Sequence, residues 1–151
     1  MVKIENILWP TDFSEDSQFA LDYARTLAER FGTKLFLLHV IDNPTSRAYG
    51  EVEGDYFAME ANARKKALEL LDGYMKQRLS DFPNKEALLK EGDVLSRIMD
   101  TVSERAVGTI VMGTHGRSGV SHILMGSVTE KVIRSVTCPV YAVRHPRRAP
   151  K

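Results

Sequence analysis

The sequence predicts a single-domain α/β protein with an open, mostly parallel sheet of five strands and four helices. Three observations predict this fold class. The length of 151 residues suits one domain. The composition, 43% apolar and 27% charged, is typical of soluble globular proteins. Short β-rich runs alternate with longer stretches of helical periodicity, which is the pattern of a parallel sheet covered by helices.

Charge and cysteine content exclude several classes of protein. Twenty-one Lys and Arg side chains balance twenty Asp and Glu, so a dedicated nucleic-acid binder is not expected. A single cysteine, Cys138, excludes an intrachain disulfide and a cysteine zinc cluster. The first residues lack the apolar region of a signal peptide, and no apolar run approaches the roughly 18 residues of a membrane helix. We therefore expect a cytoplasmic protein that binds neither nucleic acid nor membrane.

The first βα unit is predicted from its ends. Ile4–Trp9 reads as a strand closed by Pro10. Ser14 is a suitable N-cap for the following helix, with two carboxylates in the first turn, and Gly32 is a suitable C-terminal stop. The apolar side chains of this helix recur every four residues, at Phe19, Tyr23, Leu27 and Phe31.

The second βα unit begins with a nearly continuous apolar run. Lys34–Ile41 has the pattern of a central parallel strand buried on both faces. Asp42–Tyr56 contains proline and two glycines without a clear period, so it is predicted to be a long loop. A long amphipathic helix follows and is expected to end near residues 81–83. Its apolar face is marked by Leu68, Leu71, Met75 and Leu79.

The remaining elements complete the alternation. Glu86–Glu91 is predicted to be a short edge strand, and Thr109–Met112 and Pro139–Arg144 are the last two strands. Asp93 caps the third helix, and Ser127 to about Val136 forms the fourth. The third helix carries the apolar residues Leu95, Ile98, Met99, Val102 and Ala106.

These elements make one domain over residues 1–144, followed by a basic tail, residues 145–151, that we expect to be frayed. Right-handed crossovers are expected between the parallel strands. In open sheets of this kind, ligands bind at the carboxyl ends of the strands, at the topological switch point. The segments that follow those ends are Pro10–Asp12, Val40–Ile41 and the chain from Gly113 onward.

The segment after the fourth predicted strand has the properties of a phosphate-binding loop. Glycines 113, 116 and 119 let the backbone approach a ligand, and the chain then enters a helix whose start carries unpaired N–H groups. Ser127 and Glu130 have the spacing of a capping box, which places that helix start. No Asp or Glu occurs from Arg105 through Thr129. The alternative is that the glycines serve only turns and Ser127 only caps its helix.

The pattern Gly113-x2-Gly116-x9-Gly126-Ser127 resembles the nucleotide-binding signature of the universal stress protein family, in its ATP-binding branch. The similarity spans the chain, including residues 7–14, 39–40, 110–113 and 138–140. It implies a doubly wound fold, here with strand order 3-2-1-4-5, and a homodimer joined through the last strand, Val140–Arg144. Two features depart from the family pattern: Gly92-Asp93-Val94 lacks the usual proline, and Phe57–Leu79 is long for the second helix.

The resemblance also implies roles for individual residues. Asp12 contacts the ribose or a phosphate-bound metal, and Val40 contacts adenine through its backbone. Met112 and Gly113 line the base and ribose. The remaining residues of the implied set are Pro10 and Thr11 beside Asp12, and, around the phosphates, Gly116, Arg117, Gly126, Ser127, Val128 and Thr129. Mg²⁺ or Mn²⁺ is held mostly by the nucleotide phosphates, with Asp12 as its protein ligand.

Each polar residue near these segments also has a structural interpretation. Asp12 follows a strand and precedes a helix, where aspartate often serves only as a cap or an Asx turn. His39 near the end of a buried strand is interpreted as a core histidine rather than a functional one. His115 and His122 are expected to be exposed loop residues.

The sequence does not match two other kinds of nucleotide site or the motif of one kind of hydrolase. Ser118, Ser121 and His122 lack the Gly-x-Ser-x-Gly context of a nucleophile elbow. The glycines at 108 and 113 have the spacing that begins a Walker A motif, but the lysine is absent and the intervening residues belong to a strand. Gly-x-Gly-x-x-Gly is absent as well, which argues against a dinucleotide site.

The sequence therefore predicts a regulatory stress-response module that binds ATP, or ADP or AMP, and whose nucleotide state reports on energy or stress. A slow Mg²⁺- or Mn²⁺-dependent ATPase is the alternative, with Asp12 and Arg117 as its parts. We favour binding because no general base is identifiable and phosphoryl transfer needs an oriented water as well as a metal-holding carboxylate. A structural dimer that no longer binds a ligand is a third possibility, which the intact glycine pattern argues against.

Overall fold

The computed structural model describes residues 4–42, 53–116 and 125–148. Five parallel strands form one sheet in the order β3-β2-β1-β4-β5. The strands are β1 (Asn6–Pro10), β2 (Leu35–Ile41), β3 (Lys85–Glu91), β4 (Val107–Gly113) and β5 (Val140–Val143). The predicted fold class and strand order are confirmed. The order reverses between β1 and β4, which makes the carboxyl ends of these two strands the switch point.

Four helices connect the strands: α1 (Glu15–Phe31), α2 (Glu53–Gln77), α3 (Val94–Glu104) and α4 (Ser127–Ser135). The predicted ends of α1 are confirmed. The Ser14 side chain accepts a hydrogen bond from the Ser17 amide, and Gly32 ends the helix with a left-handed φ of 63°. Asp93 caps α3 through the Ser96 amide at 2.8 Å, so that helix begins without the proline of the family pattern. No helix in the described ranges is long and apolar enough to cross a membrane.

Helix α2 differs from the prediction at both ends. It begins at Glu53, so residues 53–56 are helical and not part of a loop, and residues 43–52 of the predicted loop lie outside the described residues. It ends at Gln77, before the predicted stop at residues 81–83. Leu79 and Phe82 are nevertheless buried, in the turn after the helix. The apolar pattern extends past the end of the helix because the following turn packs on the same core as the helix.

The two faces of the sheet carry separate hydrophobic clusters. The first lies under α1 and α2, and its strand residues are Ile7, Trp9, Leu35, Leu37 and Val111. The second lies under α3 and α4, and its strand residues are Leu8, Phe36, Leu38, Val40, Val107, Ile110 and Met112. Alternate residues of β1, β2 and β4 thus point to opposite clusters. Burial on both faces explains why these strands are almost continuously apolar.

The buried face of α1 is not the one that its large apolar residues indicate. Tyr23 and Phe31 are 51% and 52% exposed, while the buried face is formed by small residues and one leucine: Asp16, Ser17, Ala20, Leu21, Ala24 and Ala28. Alanines let the helix axis lie close to the central strands, and the aromatic residues then lie on its flank. The recurrence of apolar residues thus predicted the helix, which is confirmed, and of those four residues Leu27 packs against the first cluster.

The chain after β5 turns back onto α1. Pro146–Arg148 form a short 3₁₀ helix, the His145 ring lies 4.9 Å from the Phe19 ring, and Arg147 pairs with Glu15 at 3.0 Å. The expectation of a frayed tail is therefore wrong for residues 145–148. Residues 149–151 lie outside the described residues.

Candidate functional site

A cleft of about 220 Å³ opens at the carboxyl ends of β1, β2 and β4. It brings together eleven residues predicted for the site: Pro10, Thr11, Asp12, Val40, Met112, Gly113, Gly116, Gly126, Ser127, Val128 and Thr129. The twelfth, Arg117, lies outside the described residues. These residues come from three separate stretches of the chain, and the switch point of the sheet joins them.

One half of the cleft is an apolar slot. Val40 and Met112, from the second and fourth strands, face residues that the sequence analysis did not select: Leu38, Val94 and Ile98. Val94 and Ile98 are four residues apart, so they lie on one face of α3, and α3 begins at the same edge of the sheet. The helical spacing of Val94 and Ile98, together with the strand order, could have identified them as cleft residues from the sequence. The slot therefore has the apolar lining that suits a flat ring system.

The turn between β1 and α1 forms one side of the cleft. Asp12 Oδ1 accepts hydrogen bonds from the Ser14 amide at 3.0 Å and the Ser14 hydroxyl at 2.6 Å. Thr11, which is buried, accepts from the Phe13 amide at 3.0 Å and from the Ser17 hydroxyl at 2.5 Å. Asp12 therefore makes the Asx turn of its structural interpretation and also lines the cleft. One oxygen of its carboxylate is committed to the turn.

Aromatic side chains and His39 support this turn from behind. His39 is half-buried, and its Nδ1 donates to the Thr11 carbonyl oxygen at 2.7 Å, as expected of a histidine with a structural role. Burial raises the pKa of the Tyr74 phenol, the positive charge of Arg78 lowers it, and the negative charge of Asp12 raises it again. The negative charge of Asp12 therefore acts on Tyr74 of α2 as well as on the cleft.

Helix α4 begins one residue earlier than the predicted capping box. Gly126 is the N-cap, at φ −69° and ψ 152°, and no side chain caps the helix. The Gly126 amide donates to the Thr114 carbonyl at 2.6 Å, which draws the chain into the helix at this point. The predicted Ser127 cap is therefore wrong, because Ser127 is already the first helical residue. Ser127 lines the cleft instead.

The first turn of α4 offers backbone donors to the cleft. The first hydrogen bond within the helix runs from the Glu130 amide to the Gly126 carbonyl at 3.0 Å, so the amides of residues 127–129 precede it. The partial positive charge of the helix start adds to them. The Thr129 hydroxyl, in contrast, donates to the Gly113 carbonyl at 2.9 Å and ties α4 to β4. The Thr129 hydroxyl proton is therefore committed to this bond, while its backbone amide precedes the first hydrogen bond of the helix.

Two glycines are required by close contacts in the cleft wall. A Cβ atom at Gly113 would lie 2.8 Å from the backbone of Asp16, and one at Gly116 would lie 2.7 Å from Asp12 Oδ2. Neither position admits a side chain without displacing what it touches. Gly116 therefore lets the loop after β4 reach the Asp12 carboxylate, and Gly113 lets α1 pack on the end of β4.

His115 lies in the cleft, and its expected exposure is wrong. It is 7% exposed, and its Nδ1 lies 2.9 Å from the Thr114 hydroxyl. Gly126 packs on the backbone of Thr114, His115 and Gly116 at this point. Nothing in the local sequence distinguishes such a residue from an exposed loop histidine. His122, Ser118 and Ser121 lie outside the described residues.

No group of three or more His, Cys, Asp or Glu side chains comes together as a metal site within residues 4–42, 53–116 and 125–148. Asp12 has one carboxylate oxygen beyond the one that Ser14 engages.

Known proteins share both the sequence and the fold. The universal stress protein of Methanocaldococcus jannaschii named MJ0577 is 29% identical over 161 residues, which cover 95% of this chain and 96% of that protein. Its solved structure superposes with a TM-score of 0.84, covering 95% of this chain and 98% of that one. UspA from Lactobacillus plantarum is 26% identical, with a TM-score of 0.80 and coverage of 95% and 100%.

A more distant structure shares the fold and was solved with a nucleotide. The universal stress protein of Archaeoglobus fulgidus in complex with dAMP is 19% identical, with a TM-score of 0.63 and coverage of 94% and 98%. The sequence model of the universal stress protein family matches residues 3–144. With a match over nearly its whole length and the same fold in solved relatives, the chain belongs to the universal stress protein family.

Proposed function

We propose that this protein binds ATP, or ADP or AMP, in the cleft at the switch point and acts as a regulatory stress-response module. The observation that carries the proposal is the set of groups that the cleft combines. It is lined by apolar side chains, by a turn with a carboxylate and by the uncapped start of a helix, which suit a base, a ribose and phosphates. The A. fulgidus relative solved with dAMP supports an adenine nucleotide as the ligand class.

The apolar slot is the proposed place of the base. Val40, Met112 and Ile98 are buried or nearly so and present flat aliphatic surfaces. A planar purine buries well between such side chains, and the polar edge of the base then contacts backbone groups. We assign the adenine contact to the backbone at Val40, as the family resemblance implies. Val94 and Ile98 are added to the set as the opposite wall.

The start of α4 is the proposed place of the phosphates. The amides of Ser127, Val128 and Thr129 lie in the first helical turn, and a helix N-terminus favours an anion through these donors and its dipole. The glycines at 116 and 126 keep this part of the cleft free of side chains. Arg117, from the family pattern, adds a positive charge in the same loop. Mg²⁺ or Mn²⁺ is proposed to enter with the phosphates and to reach one oxygen of Asp12.

Binding fits these residues better than rapid catalysis. Efficient phosphoryl transfer needs a metal-holding carboxylate, a positioned cation and an oriented water. The described cleft supplies one carboxylate with a committed oxygen, and it holds no cluster of metal ligands. A module that responds to the ATP level needs binding alone. A cytoplasmic location, where ATP is abundant, is part of this proposal.

The direct test is titration calorimetry of the purified protein with ATP, ADP, AMP and GTP. We expect dissociation constants in roughly the micromolar range for the adenine nucleotides, or about −8 kcal/mol, and much weaker binding of GTP. Mass spectrometry of ligand released from freshly purified protein shows which nucleotide it carries. A folded protein that binds none of the adenine nucleotides and releases none contradicts the proposal.

Hydrolysis is tested separately, since a slow ATPase is the alternative. We expect phosphate release in Mg²⁺ or Mn²⁺ at a background rate that is the same for the parent protein and for Asp12→Asn. A parent rate that Asp12→Asn abolishes favours the ATPase instead.

We further propose a homodimer joined through the free edge of β5. The edge is β-prone and partly apolar, and Tyr141 is exposed on it. An uncovered edge of this kind tends to pair with another strand, and pairing with its own copy is self-complementary about a two-fold axis. The family resemblance implies the same interface.

The ladder of β4 and β5 shows which residue to change. Pro139 and Val143 accept hydrogen bonds from β4, so the alternate residue Ala142 directs its amide to the free edge. Ala142→Pro removes that donor, and we expect it to convert the dimer to a monomer in light scattering at micromolar concentration. Ala87→Pro is the matched control. Ala87 has the same relation to the free edge of β3, the other edge strand, and its change should leave the dimer intact.

A parent protein that is monomeric in light scattering contradicts the proposed dimer. A parent dimer that Ala142→Pro leaves equally tight places the interface elsewhere.

A further inference from the structure

Phe13 has an unusual backbone conformation next to the candidate site. Its φ of 63° lies in the left-handed region, which bulky side chains rarely adopt. In the described part of the chain, Ala106 is the other non-glycine residue with a positive φ, and it lies far from the cleft. A strained residue of this kind persists when its surroundings hold it firmly, and such residues concentrate at functional sites.

Both ends of the Phe13 peptide unit are held by hydrogen bonds. The Phe13 amide donates to the Thr11 hydroxyl oxygen at 3.0 Å, and the Phe13 carbonyl accepts from Gln18 Nε2 at 3.0 Å. Thr11 is itself fixed by the Ser17 hydroxyl at 2.5 Å. The backbone of the turn is therefore tied to α1 on both sides of the strained residue.

The Phe13 ring is held by two other rings. Its centroid lies 4.4 Å from the His39 ring and 5.8 Å from the Tyr74 ring, and the planes of Phe13 and Tyr74 differ by 7°. His39 is fixed by its bond to the Thr11 carbonyl, and Tyr74 also packs edge-on against Trp9. The ring thus joins the turn to β2 and α2, and the side chain points away from the cleft.

This arrangement determines where the preceding residue lies. The left-handed step at Phe13 takes the ring to the α2 side, while Asp12 remains in the cleft wall. There the Asp12 carboxylate bonds to Ser14 through Oδ1, and its Oδ2 lies close to Gly116. A relaxed backbone at residue 13 would rotate the peptide between the two residues and displace the carboxylate from Gly116.

We propose that Phe13 is a positioning residue for nucleotide binding. The stacking of its ring on His39 and Tyr74 holds the left-handed turn, and the turn holds the Asp12 carboxylate against the loop that contains Gly116. Phe13 does not touch the ligand and acts through Asp12. The inference rests on the proposed function, since it concerns how the same cleft is kept ready for ribose and metal-bound phosphate.

A double-mutant cycle separates this role from ordinary core packing. ATP affinity is measured for the parent, Phe13→Ala, Asp12→Ala and the double variant in the presence of Mg²⁺. We expect each single change to weaken binding about tenfold, and the double variant to be no more than about twofold weaker than Asp12→Ala alone. Phe13→Tyr keeps the ring and should restore affinity to within about twofold of the parent.

Phe31→Ala is the matched control. It removes a phenylalanine from the far end of α1, where the ring is half exposed and outside the cleft, and should leave ATP affinity unchanged. If Phe13→Ala does not fold, Tyr74→Leu removes one of the two stacking partners and enters the same cycle.

The outcomes are distinguishable. The positioning role is overturned if the double variant binds ATP about a hundredfold more weakly than the parent, because the two effects are then independent. It is also overturned if Phe13→Ala binds ATP as tightly as Phe31→Ala does. In both cases the parent protein binds ATP and the proposed function stands. A parent protein that binds no ATP overturns the proposed function itself.

Discussion

The amino and carboxyl ends of the parallel sheet differ in how their polar groups are used. At the amino ends, Glu86 lies between Lys34 at 2.5 Å and Arg105 at 3.3 Å, and both cations lie over the Phe36 ring. At the carboxyl ends, a backbone is strained at Phe13 and polar groups of several elements face a cleft. The first arrangement pairs charges with each other, and the second presents donors and acceptors to a ligand.

The helices that begin at the carboxyl ends show the same contrast among themselves. Helix α1 is capped by the Ser14 side chain and α3 by Asp93, whereas α4 begins at Gly126 without a side-chain cap. Each of these caps accepts a hydrogen bond from one amide of the first turn of its helix. Gly126 has no side chain that could make such a bond at the start of α4. This departure from the usual capping of a helix supports the proposal that the phosphates bind there.

The largest effect is expected from bulk at the start of α4. A Cβ at Gly126 would lie 3.2 Å from the Thr114 carbonyl oxygen and 3.4 Å from His115 Cα, so the larger side chain of valine would push the start of α4 away from the loop after β4. Because φ at Gly126 is −69°, valine is not strained there, and the loss comes from bulk. We expect Gly126→Val to weaken ATP binding at least about tenfold, or about 1.4 kcal/mol, in calorimetry.

Gly73→Val is the control for this change. Gly73 lies within α2 with open space around its Cβ position, so a side chain there should leave ATP affinity unchanged. Equal affinity of folded Gly126→Val and parent protein contradicts the assignment of the phosphates to this helix start.

The second prediction compares the serines at the starts of α1 and α4. Ser14→Ala removes the cap of α1 and should lower the free energy of unfolding by about 1 kcal/mol. Ser127→Ala removes no cap, so its stability should stay within about 0.5 kcal/mol of the parent while ATP binding weakens a few-fold. Urea unfolding and calorimetry on the two variants measure both quantities. A Ser127→Ala protein as destabilised as Ser14→Ala restores the capping interpretation that the fold contradicts.

The smallest effect concerns the amino end of the sheet. The hydrogen bond from Lys34, with the positive charge of Arg105, holds the pKa of Glu86 below its usual value against the effect of burial. Because the folded pKa is depressed, the pair stabilises the fold above the pKa of the unfolded chain, and this stabilisation is lost as the pH falls through the folded pKa.

Glu86→Gln should therefore cost about 0.5 kcal/mol at pH 7, discounted for the partial exposure of the pair, and the two stability curves should converge in acid. ATP affinity at pH 7 should not change, because Glu86 lies at the opposite end of the sheet. A change in affinity would show that the two ends are coupled.

The sequence predicted the topology because the signals for it are strong and local. Continuous apolar strands, the caps at Ser14, Gly32 and Asp93, and the alternation of elements all agree with one another. The glycine pattern located the cleft because glycine is needed where backbone and carboxylate approach closely, as at Gly116.

Other features depend on tertiary packing and left no local signal. Large side chains suggested one face of α1, but alanines pack closer to the sheet and the aromatic residues remain on the flank. The bond from the Gly126 amide to Thr114 decides where α4 begins, and the two residues are distant in sequence. The burial of His115 likewise left no signal in the neighbouring residues. Such features can be seen only in the folded structure and cannot be predicted from neighbouring residues in the sequence.

We propose that the uncapped first turn of α4 receives the phosphates and that the capped starts of α1 and α3 do not. The most direct test is to record ¹H–¹⁵N correlation spectra of the labelled protein during titration with ATP and then with adenosine. We expect the amide signals of Ser127, Val128 and Thr129 to shift most with ATP and much less with adenosine, while the amide signal of Phe36, at the amino end of the sheet, does not shift. Equal shifts of these three amides with both ligands, or larger phosphate-dependent shifts at the starts of α1 or α3, would contradict it.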